Sequence, residues 1–202
     1  MPPSGGLKRT NVIQKLFFLS RYNQDWTATG YQVLPSSPGS ACVGSLYRFT
    51  TTTRGNLAQM STAFRNAQVT NLNLVADGIV HFRVLTYATN GFRIIPNPSF
   101  PTFTNAAFLD AQLPGTAFVN NTSANWDASV SDQVDCYFLS NAVPAYVELE
   151  LGILEPQVLE RFKSIGSPAA QRAYVEQHVA QVHLFRQRIA VRNVDFSAYV
   201  KP

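Results

Sequence analysis

The sequence predicts an α+β domain organised around antiparallel sheet. Three observations carry this. Apolar and polar residues alternate in several short runs bounded by Pro, Gly and Ser turns. Other stretches space apolar residues three and four apart behind a capping residue. Strands come first, then short helices, then strand again, instead of the strict alternation a parallel sheet needs. The 202 residues are 46% hydrophobic and only 14% charged, against roughly 25% charged in an ordinary soluble domain. Asn, Thr and Ser fill the gap, and the length suffices for one domain with a buried core.

Residues 1–15 are expected to be a flexible N-terminal segment, and residues 16–200 a single globular domain. The first strands fall at "KLFFLSR" (15–21), "GYQVLP" (30–35) and "VGSLYRFTTT" (43–52). A short helix follows over 56–66, with Asn56 as cap and Leu57, Met60 and Phe64 on its apolar stripe. Asp77-Gly78 reads as a turn before a strand from Ile79 to Tyr87. Alternation there puts Val80, Phe82 and Val84 on one face, and Ile79, His81, Arg83 and Leu85 on the other. His81 is read as a sheet-face residue on the more polar side. Residues 93–140 read as a long irregular insertion, with Phe100, Phe103, Phe108, Phe118 and Trp126 interleaved among Asn and Pro.

Regular structure returns with "PAYVELELGIL" (144–154), a half-buried strand with Val147, Leu149, Leu151 and Ile153 inward and Glu148 and Glu150 outward. Two helices are expected next. One covers "EPQVLERFKSI" and ends at Gly166; the other opens with Ser167 as cap and Pro168 in its first turn. A last strand is read over 182–196.

Composition narrows the function classes. Residues 156–202 hold seven Lys or Arg against three Asp or Glu, which accounts for the whole net charge of +4. No Lys/Arg block is continuous, so a solvated basic face is the ordinary reading. Cys42 and Cys136 match no zinc or redox spacing; they are either one disulfide or two free thiols. No apolar run approaches the roughly 18–20 residues of a membrane helix, and "MPPSGGLKRTNVIQKLFFLS" lacks the pattern of a signal peptide.

The search for chemistry is negative. A G-x-S-x-G elbow, an H-E-x-x-H zinc motif, a phosphate loop and the dinucleotide glycine fingerprint are all missing. His178 and His183 stand five apart on different expected elements. Glu148 and Glu150 lie about 7 Å apart on one strand face at ~3.3–3.4 Å per residue, a separation within reach of glycoside chemistry, but alternating Glu is common on a wet strand. Asp127, Asp132 and Asp135 lack calcium-loop spacing. The expectation is therefore no enzyme, with no catalytic, cofactor-binding or metal-binding residue. Arg186, Arg188 and Arg192 share a parity on the last strand and, with Trp126, form the candidate partner surface.

Two stretches carry a family resemblance. "LVADGIVHFRVLTYATNGF" (74–92) and "NAVPAYVELELGIL" (141–154) resemble strands of minor prepilin-like proteins, in particular pseudopilin J of type II secretion. "ELGILEPQVLERFKSI" and "VHLFRQRIAVRNVD" are similar to prepilin-type proteins of verrucomicrobial pilin-like cassettes, and the resemblance spans residues 16–196. It implies a pilin-like globular headpiece, normally carried on an N-terminal hydrophobic helix that this chain lacks. It further implies a structural subunit acting by protein–protein contact with other minor pilin or pseudopilin subunits, on the periplasmic or cell-surface side of the inner membrane. Cofactors and nucleic-acid partners are not expected, and the chain as given is expected to be soluble. The alternative reading is an extracytoplasmic carbohydrate- or DNA-binding module.

Overall fold

The computed structural model describes residues 11–35, 43–87, 91, 116–120, 134–138 and 144–191. Their strands are β1 (Leu16–Tyr22), β2 (Asp25–Pro35), β3 (Gly44–Thr53), β4 (Asn73–Tyr87), β5 (Thr116–Asn120), β6 (Val134–Phe138), β7 (Tyr146–Leu154) and β8 (Val182–Ala190). The helices are α1 (Leu57–Arg65), α2 (Pro156–Ser164) and α3 (Pro168–Gln177). Six strands form one antiparallel sheet in the order β1-β2-β3-β4-β7-β8, and β5 pairs with β6 separately.

This overturns the expected α+β pilin-like headpiece: the described chain is dominated by sheet, and its three α-helices are only nine, nine and ten residues long. Strands were under-read for a physical reason. β2 begins at Asp25, five residues before the predicted Gly30, because Thr27 and Thr29 pair across the ladder with Thr52 and Thr50. β-branched Thr suits a pleated surface without giving an apolar alternation to read. Within the stretch read as irregular, β5 and β6 pair antiparallel from Thr116↔Phe138 to Asn120↔Val134.

Asp77-Gly78 is likewise no turn. β4 runs straight through it, and the β3–β4 register slips between Gly44 and Tyr47. Gly78 sits at φ +75°, which only glycine adopts cheaply, so the pair forms a bulge within the strand. The β1–β2 hairpin turns instead on Asn23, at φ 55°; an amide side chain tolerates that left-handed region better than most.

Caps behave unevenly. Asn56 caps α1 as its position predicts, accepting from the Gln59 N–H at 3.4 Å. Gly166 does not end α2; Ile165 does, in an extended conformation. Ser167 precedes α3 without a side-chain capping bond, and α3 stops at Gln177.

The chain divides into two compact units, Met1–Val84 with Leu149–Gln187, and Leu85–Glu148 with Arg188–Pro202. The first holds three apolar clusters. Under α1, Met60 and Phe64 pack on Ala28 and Phe49, with Phe17 stacked on Phe64 at 5.3 Å. Under α2 and α3, Leu159, Phe162 and Val175 pack on Val43, Val80 and Leu154. Val43, the residue just before β3, shares a parity with Phe49 on that strand, so all three helices cover the same sheet face. The third cluster, Val33, Leu46, Ile79 and Phe82 with Leu151 and Ile153, lies on the opposite face. On β4 the expected alternation fails: Val80 packs in the cluster under α2 and α3, while Phe82 and Val84 join Ile79 in the third cluster. Residues 12–14, inside the segment expected to be flexible, are bonded to β4 at Phe82.

Candidate functional site

The polar residues of greatest interest stand on β7 and β8. Glu155 N–H donates to the Gln181 carbonyl at 3.1 Å, and Val191 N–H to the Ala145 carbonyl at 3.0 Å. These bonds set an antiparallel register that brings Arg186 opposite Glu150 and Arg188 opposite Glu148. Both glutamates share a parity with Leu154, which lies beneath α2. The expectation of a wet glutamate face is therefore wrong: Glu148 is 3% exposed.

A carboxylate so deeply placed needs partners, since an isolated buried charge is costly. Glu148 has them within its own unit. Tyr87 donates its hydroxyl to Oε1 at 3.2 Å, and Arg188 Nε donates to Oε2 at 3.0 Å. The Arg188 guanidinium also lies 4.1 Å from the centre of the Tyr87 ring, in cation–π contact. The hydrogen bond from Arg188 to Glu148, then its interaction with Tyr87, raises the arginine above its already high ordinary pKa.

Glu150 anchors a second cluster in the other unit. His81 Nε2 lies 3.5 Å and Arg83 Nη1 3.9 Å from its Oε2, while Arg186 Nε lies 3.5 Å from its Oε1. His81 Nδ1 accepts the Val12 N–H at 3.1 Å. Gly152 makes room for this ring, because a Cβ there would meet His81 Cβ at 2.9 Å. The His81 side chain is only 12% exposed, so it is largely covered and not on a wet face.

A third cluster ties α2 to the β4 bulge. Asp77 accepts from Ser45 Oγ and from the Gly78 N–H, both at 2.8 Å, and pairs with Lys163 at 3.0 Å. Lys163 also meets Glu160 at 3.1 Å. Partial burial pushes the Asp77 carboxyl upward, but the bonds from Lys163, Ser45 and Gly78 outweigh it and hold the pKa below the ordinary value. The hydrogen bond to Asp77, seconded by Glu160, raises Lys163.

The predicted partner surface changes character. Arg186 and Arg188 do lie on β8, but each is engaged with a glutamate of β7. Arg192, Trp126 and Cys42 lie outside the described residues, as do Asp127 and Asp132. Cys136 falls on β6, in register with Phe118. His178 and His183 do not converge: His178 Nδ1 lies 2.7 Å from the Tyr174 carbonyl, and His183 Nε2 lies 3.2 Å from Glu155. Among the described residues no three His, Cys, Asp or Glu are grouped to hold a metal ion. A shallow groove beside α1, lined by Asn56, Gln59, Thr62, Ala63 and Asn66, contains no titratable side chain.

Sequence reasoning missed Tyr87 and the Asp77–Lys163 pair. The Glu–Arg pairs had a usable signal, since Glu148/Glu150 and Arg186/Arg188 repeat the same two-residue step on two strands. Comparison of the chain with protein families, curated proteins and solved structures finds no match.

What the geometry does present is an edge. β8 closes one end of the sheet, and all but its first residue is exposed. It displays Leu184 at 45% and Phe185 at 58% exposure, with Ile189 also exposed. β1, at the other end of the order, displays Phe18 and Tyr22. No helix among the described residues is long and apolar enough to cross a membrane.

Proposed function

We propose that the chain is a structural subunit, not an enzyme, that works by strand-edge contact with other proteins. The observation that carries this reading is β8, a terminal strand whose apolar side chains point into solvent from both faces. Leu184 and Phe185 differ in parity, so the strand exposes an apolar side chain on each of its two faces. Exposed edges of this kind pair readily with another chain unless something protects them. Contact by strand addition supplies main-chain bonds, with the flanking side chains setting specificity. The resemblance of residues 74–92 and 141–154 to minor prepilin-like strands supports the same reading and supplies the partner class, other pilin-like or pseudopilin subunits.

Arg186 and Arg188 orient β8 on β7 in this view, and Leu184 and Phe185 make the contact. Charge reversal at the arginines would disturb the ion pairs with Glu150 and Glu148, so the apolar positions give the cleaner test. Leu184→Lys with Phe185→Asp should abolish capture of a purified pilin-like subunit that binds the wild-type chain. Val69→Lys, at an exposed site away from β8, should leave capture intact. Equal capture by both variants would reject the β8 surface. Saturable binding of glycans or salt-sensitive retention of DNA, unaffected by the β8 changes, would favour a binding module instead.

A further inference from the structure

A short N-terminal stretch closes part of an edge of β4. Among the described residues the β3–β4 ladder runs between Gly44↔Ile79 and Arg48↔Asn73. Beyond Ile79, Phe82 N–H donates to the Val12 carbonyl and the Phe82 carbonyl accepts from Gln14 N–H, both at 2.8 Å. Gln14 Oε1 accepts from Val84 N–H at 2.6 Å. Ile13 packs against the cluster of Val33, Leu46, Ile79 and Phe82, and its bridge to Phe82 is parallel.

One more bond is of a different kind. The Val12 N–H donates to Nδ1 of His81. A backbone amide can only donate, so Nδ1 must present a bare lone pair and the neutral ring carries its proton on Nε2. The charged groups facing this ring come from three strands. Glu150 on β7 meets Nε2 directly, and Arg83 on β4 and Arg186 on β8 share that carboxylate. Gly152 of β7 packs on the ring's Cβ side, and the N-terminal segment presents an amide.

We propose that His81 is a protonation-sensitive latch holding residues 12–14 on the edge of β4. A proton taken from solvent onto Nδ1 removes the acceptor and sets one N–H against another, so the Val12 bond breaks. Glu150 keeps the ring seated in both states, and its 3.5 Å contact with Nε2 becomes an ion pair in the imidazolium. The sign follows from linkage. The closed form binds the ring proton less tightly than the open form, so closure is complete above the imidazole range and is lost as pH falls through it. Release exposes the N–H and carbonyl of Phe82 and the N–H of Val84, an edge to which another strand can add.

The test is amide exchange of Val12, Gln14 and Phe82 in the whole chain, corrected for intrinsic rates, at pH 7.5 and pH 5.5. A ring that binds its proton only in the open form lowers protection as pH falls across this interval, by at most about tenfold per pH unit. Amides of the β2–β3 ladder report the global fold and should hold their protection. His81→Asn places a non-titrating oxygen near Nδ1, and its protection at Val12 and Phe82 should be independent of pH. Three results would overturn the latch: no change in the wild type, an equal change in His81→Asn, or parallel loss across the β2–β3 amides.

Discussion

Arg188 and Glu148, forty residues apart in sequence, meet at 3.0 Å where the end of β8 runs beside the start of β7. The glutamate is buried and the arginine half-exposed, so the pair is asymmetric. Removing the arginine strands a charge in a covered place, whereas removing both charges does not. Arg188→Met should therefore lower the urea midpoint clearly, and Glu148→Gln/Arg188→Met should recover part of the loss. Equal midpoints for the single and double variants would show that Glu148 draws its compensation from elsewhere.

Asp77 sets an acid limit on stability. Its folded pKa lies below the ordinary 3.8, so it favours folding above that value and loses the contribution as pH falls through the lower folded value. Asp77→Asn has nothing to titrate. Between pH 5 and pH 2.5 the wild-type urea midpoint should fall further than that of Asp77→Asn. Parallel declines would assign the acid sensitivity to other carboxylates.

Gly30 is required for space. A Cβ at this position would sit on the Phe64 ring, within contact distance of several ring atoms. Gly30→Ala should destabilise by about 1–3 kcal/mol through overpacking. Phe64→Leu in the same chain should relieve part of that cost, measured as a coupling between the two changes. Strict additivity would mean that the ring simply moves aside.

Phe162 and Phe185 separate stability from contact. Phe162 is 1% exposed on the buried face of α2, and Phe162→Ala should cost about 3–5 kcal/mol. Phe185→Ser, on the exposed face of β8, should change stability by no more than about 0.5 kcal/mol while weakening subunit capture. A large stability loss from Phe185→Ser would make it a core residue and remove it from the proposed surface.

Much of the local structure was legible along the chain. Met60 and Phe64 repeat at helical spacing behind Asn56, and both are buried under α1. Pro156 and Pro168 mark the first turns of α2 and α3. Strand limits were less legible, because the polar start of β2, with Thr27 and Thr29, does not read as strand until Thr52 and Thr50 of β3 supply its partners.

The sequence by itself determined which residues can form strands and helices, since that depends on side-chain shape, spacing and backbone preference within a few positions. Tertiary structure alone decided which face of a strand is dry. Glu148 and Glu150 alternate with Leu and Val as a wet face would, yet Glu148 is buried and β8 supplies Arg188 and Arg186 to compensate the two charges. The same holds for His81, whose role depends on an amide sixty-nine residues away. Burial and tautomer are properties of the neighbours a residue acquires, and those neighbours are set by sheet order and register, which local periodicity does not encode.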